Sequence, residues 1–235
     1  MSEPLVDVRD LVKNYQALRP LRITSLTMDH GAVVSLMGLD APAAEMLVGL
    51  LTGAVLPDSG EVRLFGQSTA SVGDSDAWLA MLDRVGILTD RAVLIGQFTV
   101  EQNLAMPFTL QVDPVADAVR PRVEQLAADV GLDASMLRAA VGRSTPDVVA
   151  RVRLGRALAL DPAVLLAEHP SASLPRPAVK AFAADLARVA RARRLAVLAI
   201  TADEAFARAL GGTVLVHDAA TGALRARSAW RKLFG

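Results

Sequence analysis

The stretch Val33-Val34-Ser35-Leu36-Met37-Gly38-Leu39-Asp40-Ala41-Pro42-Ala43-Ala44-Glu45 runs from a short apolar segment, through one glycine, into a helix-forming pattern that continues to Leu51. A run of this length and composition reads as a buried strand, and the three- and four-residue spacing of apolar side chains from Ala43 to Leu51 reads as a helix. The same alternation continues outward. Further strands are expected at Val62 to Phe65, Val85 to Leu88, Val164 to Ala167, Ala196 to Ile200 and Thr213 to Val216. Helices are expected at Asp76 to Leu82, Pro114 to Val130 with a break or restart at Pro121, Val148 to Leu160, Pro177 to Ala192 and Ala202 to Leu210. Strands alternating with helices predict an α/β fold with a mostly parallel sheet. From Thr99 to about Val149 the pattern is helical, which predicts a helical subdomain of residues 99–149 inserted in a single domain of residues 1–235. Trp230 and Phe234, in the basic tail from Ser228 to Gly235, suggest a docked end helix.

Composition narrows the function. The 235 residues include 25 basic and 25 acidic side chains, so nothing marks a nucleic-acid partner. Apolar runs such as Leu195 to Ile200 are strand-sized, well short of the roughly 20 residues that cross a bilayer. Met1 to Asp10 lacks the basic start and apolar core of a secretory signal, so a cytoplasmic location is expected. There is no cysteine, and His30, His169 and His217 have no ligand-like spacing, so no metal site is expected.

Several landmarks occur in order along nearly the whole chain. Tyr15 follows Leu11-Val12-Lys13-Asn14, and Leu56-Pro57-Asp58-Ser59-Gly60-Glu61-Val62-Arg63-Leu64-Phe65-Gly66 forms a strand with its turns. Thr99-Val100-Glu101-Gln102-Asn103-Leu104 opens the helical middle, and Arg151 to Leu160, Asp161-Pro162 and Ala163 to Leu174 give a helix, a turn, a strand and a loop. In this order the chain resembles the nucleotide-binding subunit of an ATP-binding cassette (ABC) transporter. The resemblance implies a P-loop NTPase core with the helical insertion. It also implies that Tyr15 stands where the family stacks an aromatic ring on adenine; the alternative for Tyr15 is packing against the sheet.

A P-loop has the pattern G-x-x-x-x-G-K-[ST], whose backbone N–H groups wrap phosphates while Lys neutralises charge and Ser or Thr holds magnesium. Here Gly38 is the one glycine kept; Ala43 replaces the second, Ala44 the lysine and Glu45 the hydroxyl. Asp40 and Glu45 give the loop two carboxylates and no cation. One carboxylate–phosphate contact at about 4 Å repels by roughly 4 kcal/mol at an effective dielectric near 20. Stacking on Tyr15 would return about 1–3 kcal/mol, less than the roughly 4 kcal/mol of millimolar affinity. The same residues also suit a helix that caps itself, since acidic side chains and proline are favourable in a first turn.

The resemblance assigns the remaining catalytic positions to Glu168 (Walker B aspartate), His169 (catalytic glutamate), Asp90 (Gln loop) and Ala202 (His switch). The signature motif falls on Ser144-Thr145-Pro146-Asp147-Val148 without its glycines, and the D-loop aspartate on Pro175. His169 is read either as a general base or as a structural residue at a strand end. Little or no ATP hydrolysis is expected, and ATP with magnesium, the family cofactor, is not expected to bind with useful affinity. The stretch Arg91 to Leu110 matches the family's groove for a permease coupling helix and is rich in apolar residues, Val93, Leu94, Ile95, Phe98, Leu104, Met106, Pro107 and Phe108, which read either as a docking surface or as core of the helical subdomain. The implied partners are a membrane permease, a partner ABC ATPase or a second copy of the chain. The leading expectation is a pseudo-ATPase with a structural or regulatory role at the inner face of the membrane. An ATP-hydrolysing subunit with atypical site residues and a soluble ABC-like scaffold remain as alternatives.

Overall fold

The computed structural model of the protein describes residues 3–71 and 74–227; the tail carrying Trp230 and Phe234 lies outside the described residues. In chain order the strands are β1 Val6–Lys13, β2 Leu21–Met28, β3 Val33–Met37, β4 Ser59–Leu64, β5 Gln67–Ser68, β6 Val85–Leu88, β7 Val164–Glu168, β8 Ala196–Ile200, β9 Thr213–His217 and β10 Leu224–Ala226. The helices are α1 Ala41–Leu51, α2 Ser75–Leu82, α3 Val100–Ala105, α4 Arg120–Asp129, α5 Pro146–Leu158, α6 Arg176–Arg193 and α7 Glu204–Leu210. The larger sheet has the order β10-β9-β3-β8-β7-β6, with every neighbouring pair parallel except β10 against β9. β7 and β8 are buried along their whole length, which is why both read as unbroken apolar runs.

A second, antiparallel sheet of order β2-β1-β4-β5 packs its inner face with α1 and one face of the parallel sheet in one buried cluster. Strands β1 and β2 were not among the expected elements. Their apolar residues alternate with Asp, Arg, Ser and Thr instead of forming a run, as in the buried Val6 and Val8 of β1 and the buried Leu21 and Ile23 of β2. That period of two is the signature of a sheet with one solvated face. The β1–β4 register shifts between Arg9 and Val12, where Asp10 takes a positive φ of 46°. Opposite it, a side-chain carbon on Gly60 would lie 2.3 Å from the Asp10 carbonyl oxygen, so only glycine fits there.

Between β6 and β7 the chain is helical, with isolated bridges instead of strands. Thr99 caps α3 through a reciprocal pair of bonds with Gln102, at 3.1 and 2.8 Å. The helix expected from Pro114 begins only at Arg120, because Pro121, which has no N–H to donate, is tolerated in the first turn. Val100, Leu104, Val123, Leu126, Val152 and Leu154 share one buried cluster with β7 and α6, which seats this region on the sheet. Among the described residues no helix is long and apolar enough to cross a membrane.

Candidate functional site

The carboxyl ends of β3, β6, β7 and β8 deliver Gly38, Thr89 and Asp90, Glu168 with His169, and Ala202 to one edge of the parallel sheet. In open α/β sheets ligands bind in the crevice at this edge. The loop after β3 is short: α1 starts at Ala41, two residues before the position of the second P-loop glycine. Asp40 is its N-cap. Its Oδ1 accepts a hydrogen bond from the Ala43 amide at 2.9 Å, and its carbonyl accepts one from the Ala44 amide at 2.9 Å. Pro42 has no N–H to offer. Three of the first four helical positions therefore have no amide left for an anion. Ala44, at the lysine position, is 0 % exposed within the cluster that includes Leu47, Leu166 and Ile200. Gly38 itself is required for packing, since with φ at 93° a side-chain carbon would lie 2.9 Å from the His217 carbonyl oxygen.

The cation that the sequence places nowhere in this loop arrives from 46 residues further along. Arg91, just after β6, pairs through Nη1 with Glu45 and through Nη2 with Glu168 at 2.6 Å. Its guanidinium lies between the Glu45 and Glu168 carboxylates, at the ends of α1 and β7 that face the sheet edge. Sequence reasoning treated Arg91 only as the start of the docking stretch. The loop itself holds no cation, but Arg91 gives Glu45 a counter-charge that it shares with Glu168, and Asp40 is engaged as a cap. Glu168 is 8 % exposed, and its Oε1 has no hydrogen-bond partner. Burial pushes its carboxyl above the usual range, while the Arg91 charge pulls the other way.

Tyr15 is half-buried against the cluster that contains Leu39, Ala43 and Leu47. Burial raises the pKa of its hydroxyl, and the negative charge of Asp40 adds to the effect. His169 adopts a positive φ of 42°, donates its amide to the Ile200 carbonyl at 2.8 Å and leaves its Nε2 buried without a partner. It lines a cavity of about 550 Å³ with Ala202, Ser171, Arg176 and Asp203. Asp203 Oδ1 caps α7 by accepting the amides of Ala205 and Phe206. Asp90 lies near Glu168 and His169 at the end of β6. The signature positions are brought elsewhere: Ser144 donates its hydroxyl to the Ala140 carbonyl at 3.1 Å, and Pro146 and Asp147 open α5. Ser144 and Asp90 line a groove of about 450 Å³ along the segment Arg91–Leu94.

The docking stretch divides. Leu104 is wholly buried, and Leu94 and Phe108 pack against the core, with the Arg122 guanidinium 4.3 Å from the centre of the Phe108 ring. Val93 and Leu110 are 79 and 100 % exposed, and Ile95, Phe98, Met106 and Pro107 are half-buried.

No protein-family profile matches the chain. It is 28 % identical over 218 residues to the lipoprotein-releasing system ATP-binding protein LolD of Geobacter metallireducens, covering 91 % of this chain and 96 % of that protein. It is also 28 % identical over 218 residues to the methionine import ATP-binding protein MetN of Mesorhizobium japonicum. That match covers 93 % of this chain but 59 % of MetN, so the chain spans about three fifths of that relative. Among solved structures, a dimeric ATP-binding cassette bound to ADP and Pi superposes with a TM-score of 0.75 at 20 % identity, covering 95 % of this chain and 98 % of the other. CbiO1 of Clostridium perfringens, part of an ABC transporter complex, gives 0.75 at 17 % identity, with 95 % and 88 % covered.

Proposed function

We propose that this chain, an ATP-binding-cassette subunit by fold and by sequence kinship, is a non-catalytic member of its family that works by contact with a membrane permease or a partner ATPase. The observation that carries this reading is the closed N-terminus of α1. An ATP phosphate chain needs free amides and a lysine, whereas here Asp40 takes the Ala43 amide, Pro42 has none and Ala44 is buried. Magnesium would need the place that the Arg91 guanidinium takes between Glu45 and Glu168. The residues present therefore do not fit ATP with magnesium. Ala202 offers no side-chain hydrogen bond at the His-switch position.

The helical region 99–149 is read as the family's subdomain, with the exposed Val93 and half-buried Phe98 beside it as the contact surface for a permease helix. Such a subunit would sit at the inner face of the membrane, as one half of a homodimer or beside an active ATPase. The competing reading, an ATPase with unusual site residues, draws on the buried, unpartnered His169 Nε2 and Glu168 Oε1. It lacks a phosphate cradle. Affinity purification of the chain from its native host, followed by a phosphate-release assay on the chain alone, tests the proposal. A membrane permease or an ABC ATPase should co-purify, and the isolated chain should release no phosphate above the buffer rate. Steady turnover by the isolated chain would refute it.

A further inference from the structure

Arg91 belongs to a segment that is fastened at Arg91, Ala92, Val93, Ile95 and Gly96. Its guanidinium holds Glu45 of α1 and Glu168 of β7. The next two carbonyls, of Ala92 and Val93, accept hydrogen bonds from Arg153 Nε at 3.3 Å and Arg156 Nη1 at 2.7 Å, both on α5. Asn103 of α3, wholly buried, then brackets Ile95: its Oδ1 accepts the Ile95 amide at 2.9 Å and its Nδ2 donates to the Ile95 carbonyl at 3.1 Å. At Gly96 the Gly142 amide donates to the carbonyl at 2.9 Å, an approach that a side chain on Gly142 would obstruct. Of these anchors only the first is ionic, and only it reaches the edge of the parallel sheet. A carboxylate as buried as Glu168 needs a counter-charge.

We infer that the Arg91 guanidinium is a tethered cation which bridges Glu45 and Glu168 and thereby holds residues 91–96 in one conformation with neither nucleotide nor divalent metal present. The inference rests on the reading that the site takes no nucleotide, because the guanidinium takes the place a magnesium ion would need. It gives the loss of the phosphate cradle a consequence: the segment leading to the apolar surface is set by the chain's own charges. A surface set in this way presents one shape to a partner regardless of the ATP supply.

The test is amide hydrogen exchange of residues 91–96 in the full chain, in EDTA and in manganese chloride, for the wild type, Arg91→Ala and Glu45→Gln. The wild type should be equally protected in both buffers. Arg91→Ala should exchange roughly tenfold faster across the segment, the effect of losing an anchor worth one decade in the opening equilibrium. Manganese should restore part of its protection, because the two freed carboxylates then have a cation to share. Glu45 is exposed, so Glu45→Gln folds, and it should show a smaller acceleration in the same amides. Unchanged exchange in Glu45→Gln, or in folded Arg91→Ala, overturns the bridge. So does a rise in wild-type protection on adding manganese, which would mean that a metal ion and not Arg91 belongs there. Titrating ATP into the same wild-type sample separates the two ideas: binding would defeat the non-catalytic reading, while the nucleotide-free exchange data still judge the bridge.

Discussion

The edge of the parallel sheet and the surface beside α3 are joined by a single segment, yet they treat their functional groups in opposite ways. At the sheet edge the charged groups engage one another: Asp40 caps its own helix, exposed Glu45 and buried Glu168 share Arg91, and Ala44 is buried. Along residues 93–110 some apolar groups stay outward, with Val93 79 % and Leu110 100 % exposed and Phe98 half-buried, while Val100 and Leu104 are core. Polar groups satisfied internally have little left for a ligand, whereas apolar area in contact with water gains by being covered. The difference teaches that, on the proposed reading, a loop can close itself to an anion with its own cap and ion pair while apolar side chains beside it stay available for contact.

The largest effect expected from breaking this contrast is at Ala44. From sequence alone, rebuilding the P-loop with Ala41→Gly, Ala43→Gly, Ala44→Lys and Glu45→Ser is expected to recover some nucleotide binding. The burial of Ala44 changes that expectation. Ala44→Lys forces a long cationic side chain into a packed apolar cluster and should destabilise the protein by about 3 kcal/mol or more, read as a lower denaturant midpoint at unchanged slope. At the outward surface, Phe98→Glu should remove about 2–3 kcal/mol of partner affinity by placing a carboxylate in an apolar contact, with loss of co-purification as the readout. The circular dichroism of that variant should match the wild type. Glu45→Ala, at the sheet edge, should leave the complex intact.

Smaller effects sharpen the inward half. Asp40→Ala removes the cap of α1 and should cost about 1 kcal/mol in thermal or chemical denaturation. Glu168 should contribute a pH dependence of definite sign. Because burial raises its folded-state pKa above the unfolded value, the folded protein binds the proton more readily. Its stabilising effect is therefore fully present below the unfolded pKa and is lost as pH rises through the folded value. The stability of the wild type relative to Glu168→Gln should decline from about pH 4 towards neutrality. A decline in the opposite direction would show the Arg91 charge outweighing burial.

Much of the frame was legible in the sequence, because β3, β6, β7, β8 and β9 are short apolar runs separated by periodic helices. The antiparallel β1 and β2 escaped because their signal is alternation, which a search for continuous runs passes over. The order of strands and helices along the chain is enough to expect that Gly38, Asp90, Glu168, His169 and Ala202 follow the carboxyl ends of β3, β6, β7 and β8. The self-capping of α1 was also foreshadowed, since Asp before a helix with proline in its first turn is a local pattern. Arg91 could not be found in that way. Its role depends on bringing together Glu45, 46 residues before it, and Glu168, 77 residues after it, and the parallel pairing of β6 with β7 creates that meeting. Likewise, only packing distinguishes Leu104, which is core, from Val93, which is surface.

The central claim, that this edge of the sheet does not take ATP, is tested most directly by isothermal titration calorimetry of the isolated chain with ATP and magnesium at neutral pH. The account predicts no binding tighter than about millimolar, equivalent to roughly 4 kcal/mol. A micromolar dissociation constant would contradict it, since roughly 8 kcal/mol could not come from a half-buried Tyr15 beside a capped helix and a guanidinium already paired with two carboxylates.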